Sequence, residues 1–175
     1  MRTFVKSVVT LLALTLAACS GPKVQDYTNS TPKLDLKTFF NGELKAYGIL
    51  EDRQGSVTRK FSANIKAWWE GDTGYLDETF YFDDGEESKR FWTLKIDDNG
   101  KVSGDAGDVV GKAKGQVSGN TLRWQYTLEI PYKNDTINVF IDDWLYLVTD
   151  NRLINKSDLT KFGFKVGELT LVIEK

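Results

Sequence analysis

Charged residues on the apolar face of a strand are the first candidates for chemistry in this chain. In "YLDETFYF" the alternation places Glu78 with Leu76, Phe80 and Phe82, and in "KRFWTLKI" it places Arg90 with Trp92, Leu94 and Ile96. "INVFIDDWLYLV" adds a third charge: Ile137, Val139, Ile141, Leu145 and Leu147 share a face with Asp143, while Asp142 falls with Phe140, Trp144 and Tyr146 on the other. In unbroken extension one aspartate must point inward, and the apolar count assigns it to Asp143. Three readings remain open. Glu78, Arg90 and Asp143 can form a buried network with Tyr or Trp donors that only fixes register. A bulge at Asp142-Asp143 can turn both carboxylates outward. Or the charges can be the polar anchor at the floor of an aromatic cavity. A carboxylate pair acting as acid and nucleophile on a glycosidic bond is a fourth possibility, but no pair here can be given a separation.

Register sharpens the set. Matching apolar faces pairs Leu76 with Trp92, Phe80 with Ser88 and hence Glu78 with Arg90, with Asp83-Asp84-Gly85 as a three-residue loop whose glycine is left-handed. Across the Gly71 to Gly74 turn, pairing Trp69 with Leu76 puts Ala67 beside Glu78 and leaves room there. The expected ligand site is therefore Trp69, Trp92, Trp124 and Tyr126 around an apolar or fatty-acyl body. Arg90 would meet a carboxylate head, Glu78 would compete for it, and Asp143 would lie close by.

Composition narrows the chemistry. The chain has no histidine, which removes the commonest general base, most zinc chemistry and every Ser-His or Cys-His arrangement. No catalytic residue, metal ligand set or cofactor is assigned, and binding is expected in preference to turnover. A net charge of −2 that mixes 23 basic with 25 acidic residues provides no basic patch for a nucleic-acid backbone.

The elements that must hold these residues read as strands. From Leu34 onward the hydrophobic period is two: "FSANIKAWW" sets Phe61, Ala63, Ile65, Ala67 and Trp69 on one face, and "TLRWQYTLEI" does the same for Leu122, Trp124, Tyr126, Leu128 and Ile130. Turn signals such as Gly71-Asp72, Asn99-Gly100 and Ser118-Gly119-Asn120 recur between the runs. Helical periodicity is confined to a turn or two near Leu36 to Phe40. Six glycines between Gly100 and Gly119 read as bend points, since no helix follows them to make a phosphate cradle. The fold expected over residues 34–175 is all-β: an antiparallel up-and-down, lipocalin-like barrel of roughly eight to ten strands. Trp68 and Phe91 fall on its outer face and are candidates for a protein or membrane contact.

The amino terminus carries a different signal. Arg2 and Lys6 precede a short apolar run, and Leu16-Ala17-Ala18-Cys19 resembles the lipobox of bacterial lipoproteins. Residues 1–18 are then a signal peptide, and Cys19, the sole cysteine, is the lipidated residue, anchored by acyl chains at about 0.8 kcal/mol per buried methylene. Ser20 at the next position favours the outer membrane, periplasmic face. Residues 19–33, polar and with two of the three prolines, read as a disordered tether.

In order after the lipobox, "LDETFYFDDGEESKRFW", "GDAGDVVGKAKGQVSGNTLRWQYTL", "FIDDWLYLV" and "NKSDLTKFGFKVGELTLVIEK" resemble a family of Gram-negative predicted lipoproteins with a domain of unknown function. The resemblance implies an envelope lipoprotein with no established activity. It marks Glu78, Arg90, Trp92, Asp108, Trp124, Asp142, Asp143, Trp144, Asn155 and Lys161 as positions to test. Lys156 stands where the family pattern has arginine, which puts a guanidinium fork at that point in doubt.

Overall fold

The alternation of apolar and polar residues closes into a ten-stranded antiparallel barrel in the computed structural model, which describes residues 21–175. Residues 1–18, read above as a signal peptide, and Cys19 lie outside the described residues. The strands are β1 (Gly42–Asp52), β2 (Val57–Glu70), β3 (Thr73–Phe82), β4 (Glu87–Ile96), β5 (Lys101–Asp105), β6 (Ala113–Ser118), β7 (Thr121–Tyr132), β8 (Asp135–Thr149), β9 (Arg152–Lys161) and β10 (Phe164–Glu174). Each pairs with its neighbours in sequence, and β10 returns to pair with β1 through Ala46–Ile173 and Leu50–Leu169. The expected up-and-down barrel is the observed one.

The registers follow from side-chain parity. β3 and β4 pair Leu76 with Trp92, Glu78 with Arg90 and Phe80 with Ser88. The loop is Asp83-Asp84-Gly85, closed by Phe82 N–H donating to Glu86 O at 2.9 Å, and Gly85 has φ 88°. The same three-residue loop recurs between β1 and β2 and between β4 and β5, closed by Asp52 N–H on Ser56 O and Asp97 N–H on Lys101 O, with Gly55 (φ 82°) and Gly100 (φ 74°) in the left-handed position. The β2–β3 register differs from expectation by two residues. Ala67 faces Leu76 and Ile65 faces Glu78, because the turn is a two-residue one, Gly71-Asp72. Trp69 lies opposite Gly74, where a Cβ would come within 2.7 Å of its ring; the tighter turn uses that missing side chain as space for the indole.

A short helix, α1 (Leu36–Phe39), plugs one end of the barrel. Asp35 caps it, its carboxylate accepting from Thr38 N at 2.7 Å, and Leu36, Phe39, Phe40 and Leu44 are all at most 5% exposed. The opposite end is less tightly shut: Phe80, Leu128, Ile130, Leu159 and Leu171 are only partly buried against the core.

The segment read as a disordered tether is instead folded against the barrel wall from residue 23 to residue 34. Val24–Tyr27 form a 3₁₀ turn with Val24 buried, and the Tyr27 ring packs edge-on against Tyr146 at 5.5 Å. Leu34 N–H donates to Gly119 O at 2.9 Å. The prolines and polar residues concealed this strap, because its apolar anchors, Val24, Tyr27 and Leu34, lack periodicity.

The glycine run divides by role. Gly100, Gly111 and Gly119 have positive φ in turns, whereas Gly104 and Gly115 lie within β5 and β6 beneath Trp124. A Cβ on Gly115 would lie 2.7 Å from Trp124 Cε3, and one on Gly104 3.0 Å from the same ring. These two glycines leave room for an indole and do not bend the strands by an unusual φ.

Candidate functional site

Inward parity on β3, β4, β7, β8 and β9 brings Glu78, Arg90, Trp92, Trp124, Tyr126, Asp143 and Asn155 to one interior cavity of about 140 Å³. Leu36 and Phe40 form its closed floor, and Phe61 and Phe80 line it toward the other end. The Trp92 ring stands edge-on to both Trp124 (5.7 Å) and Tyr126 (5.3 Å), a pair of contacts contributing about 0.5–1.5 kcal/mol each beyond simple burial. The barrel's side chains hold one another firmly here and still leave the centre unfilled.

Two expected members change place. Trp69 does not line the cavity: its Nε1–H donates to Phe40 O at 2.8 Å at the plugged end. Arg90 lines the cavity but does not pair with Glu78. Its guanidinium forks onto Asp108, with Nε–Oδ2 at 2.9 Å and an Nη–Oδ2 contact of 2.7 Å. Register made Glu78 and Arg90 neighbours, but Asp108, on the loop between β5 and β6, reaches the planar donors with both oxygens, a geometry that a lateral carboxylate one strand away does not match.

Asp143 does point inward. The β7–β8 ladder runs unbroken through Gln125–Asp142 and Trp124–Asp143, so there is no bulge at the two aspartates. Asp142 faces outward, accepting from Arg123 Nε at 2.9 Å, with the guanidinium 5.0 Å from the Trp144 ring. Asp143 is 5% exposed and its Oδ1 has no hydrogen-bond partner. Leaving such an atom unsatisfied costs about 1–3 kcal/mol, a cost that packing alone does not explain.

Burial governs the titration of the site. It pushes the Asp143 carboxyl up to about 6, against the opposing pull of Ser157, Tyr126 and Asn155. Glu78 rises to about 7, first through desolvation; Arg90 pulls it down, while Asp108 and Asp143 push it further up. The Tyr126 hydroxyl moves upward for the same reason.

Asn155 and Ser157 were not placed inside by the reading of charges. Their signal was present in "RLINKSDL", where Leu153, Asn155, Ser157 and Leu159 alternate; the Ser157 hydroxyl donates to Asn155 Oδ1 at 2.7 Å, and both residues are buried. Of the remaining family positions, Trp144 packs outside against Tyr27 at 6.0 Å, and Lys161 lies at the β9–β10 turn, its ammonium 5.2 Å from the Phe162 ring. Trp68 and Phe91 are outside as expected, with Trp68 stacked on Tyr75 at 5.2 Å and Phe91 45% exposed. Among the described residues no group of three His, Cys, Asp or Glu is arranged to hold a metal ion, and no helix is long and apolar enough to cross a membrane.

A closed antiparallel barrel with an aromatic cavity and a few polar groups at its centre is of the lipocalin-like class. The chain belongs to the DUF3833 family of proteins of unknown function, whose model matches residues 13–175. No curated protein matches it. Among solved structures it is similar to the S-type phycobiliprotein lyase CPES from Guillardia theta, with TM-score 0.56 and 8% identity over 87% of this chain and 96% of that one. It is also similar to a DUF3598-family protein of unknown function from Nostoc punctiforme, with TM-score 0.55 and 14% identity over 90% of this chain and 52% of that one. At these identities the likeness is one of fold.

Proposed function

We propose that the barrel binds a small apolar ligand in its interior and does so as an envelope lipoprotein, anchored through Cys19 on the periplasmic face of the outer membrane. The observation that carries the reading is the unfilled interior. About eight strands enclose an interior that side chains can just fill or that holds one small ligand, and ten enclose a wider one; here Trp92, Trp124 and Tyr126 surround about 140 Å³ with an unpartnered carboxylate oxygen beside them. A volume near this one suits a benzene-sized group. A fatty-acyl chain would therefore place only part of its length inside and extend past Phe61 and Phe80. The similarity to a phycobiliprotein lyase supports a barrel that accommodates a guest, and with no histidine in the chain we favour binding over catalysis.

Native mass spectrometry of the lipidated chain, extracted gently from the envelope and followed by organic extraction, tests this. The expected result is a stoichiometric non-covalent passenger besides the covalent acyl groups. A clean apo mass, unchanged by added apolar compounds, would sink the proposal. The second reading, a protein interface, draws its support from the outward aromatic trio Trp68, Tyr75 and Phe91, and it gains if the cavity proves empty.

A further inference from the structure

We propose that the ligand's polar end is a hydrogen-bond donor, an apolar amine or comparable nitrogen cation, and not a carboxylate. The inference rests on the binding reading above and names the chemistry of its polar end. Arg90 is the single cation among the cavity's lining residues, and its fork is already occupied by Asp108. Two carboxylates remain: Glu78 has no ion-pair partner within 4.0 Å among the described residues, and Asp143 presents a buried Oδ1 without a donor. The groups facing them are Arg90 from β4, Asp108 from the β5–β6 loop, Tyr126 from β7, and Asn155 and Ser157 from β9. None supplies a second positive charge. A bound carboxylate would add a third anion to this floor and would have to displace Asp108 from its bidentate contact. A bound ammonium group would instead supply the donor that Asp143 Oδ1 lacks and the counter-charge that Glu78 lacks. The aromatic wall of Trp92, Trp124 and Tyr126 suits a cation with an apolar body equally well.

The order of binding of three matched probes, octylamine, 1-octanol and octanoate, decides the matter, measured by tryptophan fluorescence and calorimetry on the full chain carrying Cys19→Ser to prevent acylation. At about pH 8, with both carboxyls ionised, octylammonium is expected to bind about tenfold or more tighter than octanoate. Its affinity should fall as pH drops through the range in which Glu78 and Asp143 take up protons. Asp143→Asn and Glu78→Gln should close most of the gap in affinity between octylammonium and 1-octanol. Tighter binding of octanoate, or a preference for amine that survives both substitutions, would overturn the inference and leave the binding function standing. If none of the three binds, the binding function itself falls and the inference with it.

Discussion

Arg90 and Glu78 face each other across the β3–β4 ladder, yet the guanidinium turns away to grip Asp108 with an Nη–Oδ2 contact of 2.7 Å. A cross-strand pair of opposite charges is thus kept apart. The interior therefore retains unneutralised acid, and the stability of the empty barrel must depend on pH.

The direction of that dependence follows from the raised carboxyls. Glu78 at about 7 and Asp143 at about 6 bind protons more readily in the folded than in the unfolded chain. Their contribution is fully present below the unfolded carboxylate values and is lost as pH rises through 6 and 7, on the order of 3 kcal/mol for each group. Urea denaturation between about pH 4 and pH 8 should show falling stability. Glu78→Gln and Asp143→Asn should each flatten the fall and raise stability at the alkaline end. A flat profile in the wild-type protein would contradict the burial of both groups.

Arg90→Ala should cost about 2–4 kcal/mol, through the lost fork to Asp108 and the loss of the only cation near Glu78. Asp108→Asn should cost less, because Asp108 is more exposed than Arg90. A double-mutant cycle between the two should return a coupling energy above that of a surface pair, about 1 kcal/mol; additive losses would mean that the fork is not energetically real.

Gly115→Ala places a methyl carbon 2.4 Å from Arg123 O and 2.7 Å from Trp124 Cε3. The loss expected is about 1–3 kcal/mol from overpacking, read as a lowered Tm. Gly107→Ala, in open space at an exposed loop, serves as the control and should leave Tm unchanged.

Removing residues 21–33 should lower Tm by several degrees, because Val24 is buried and Tyr27 packs on Trp144 and Tyr146. Val24→Asp alone should cost about 2 kcal/mol. A free tether would tolerate both changes without effect.

Much of this was legible in the sequence where one rule acted alone. Period-two alternation placed Glu78 and Asp143 inside and Asp142 outside, and apolar matching chose the Asp83-Asp84-Gly85 loop. What escaped needed contacts that alternation does not encode. Trp69 left the cavity because Gly74 offered its ring a seat one turn away, a choice settled by packing. Arg90 left Glu78 because a loop residue eighteen positions downstream presented a better carboxylate. The strap from Lys23 to Leu34 has a composition typical of linkers, and what holds it in place, the burial of Val24 and Leu34, the Tyr27 ring on the wall and the Leu34 hydrogen bond to Gly119, needs the finished barrel.

β10 (Phe164–Glu174) is both the last strand of the chain and the partner of the first. A folding chain in which β10 is not yet docked therefore carries β1 and β9 as unpaired edges. Closure joins positions as distant as Ala46 and Ile173, so it comes late and at once. β10 acts as a clasp, and a chain without it would be an open sheet with two sticky borders in place of a slightly smaller barrel.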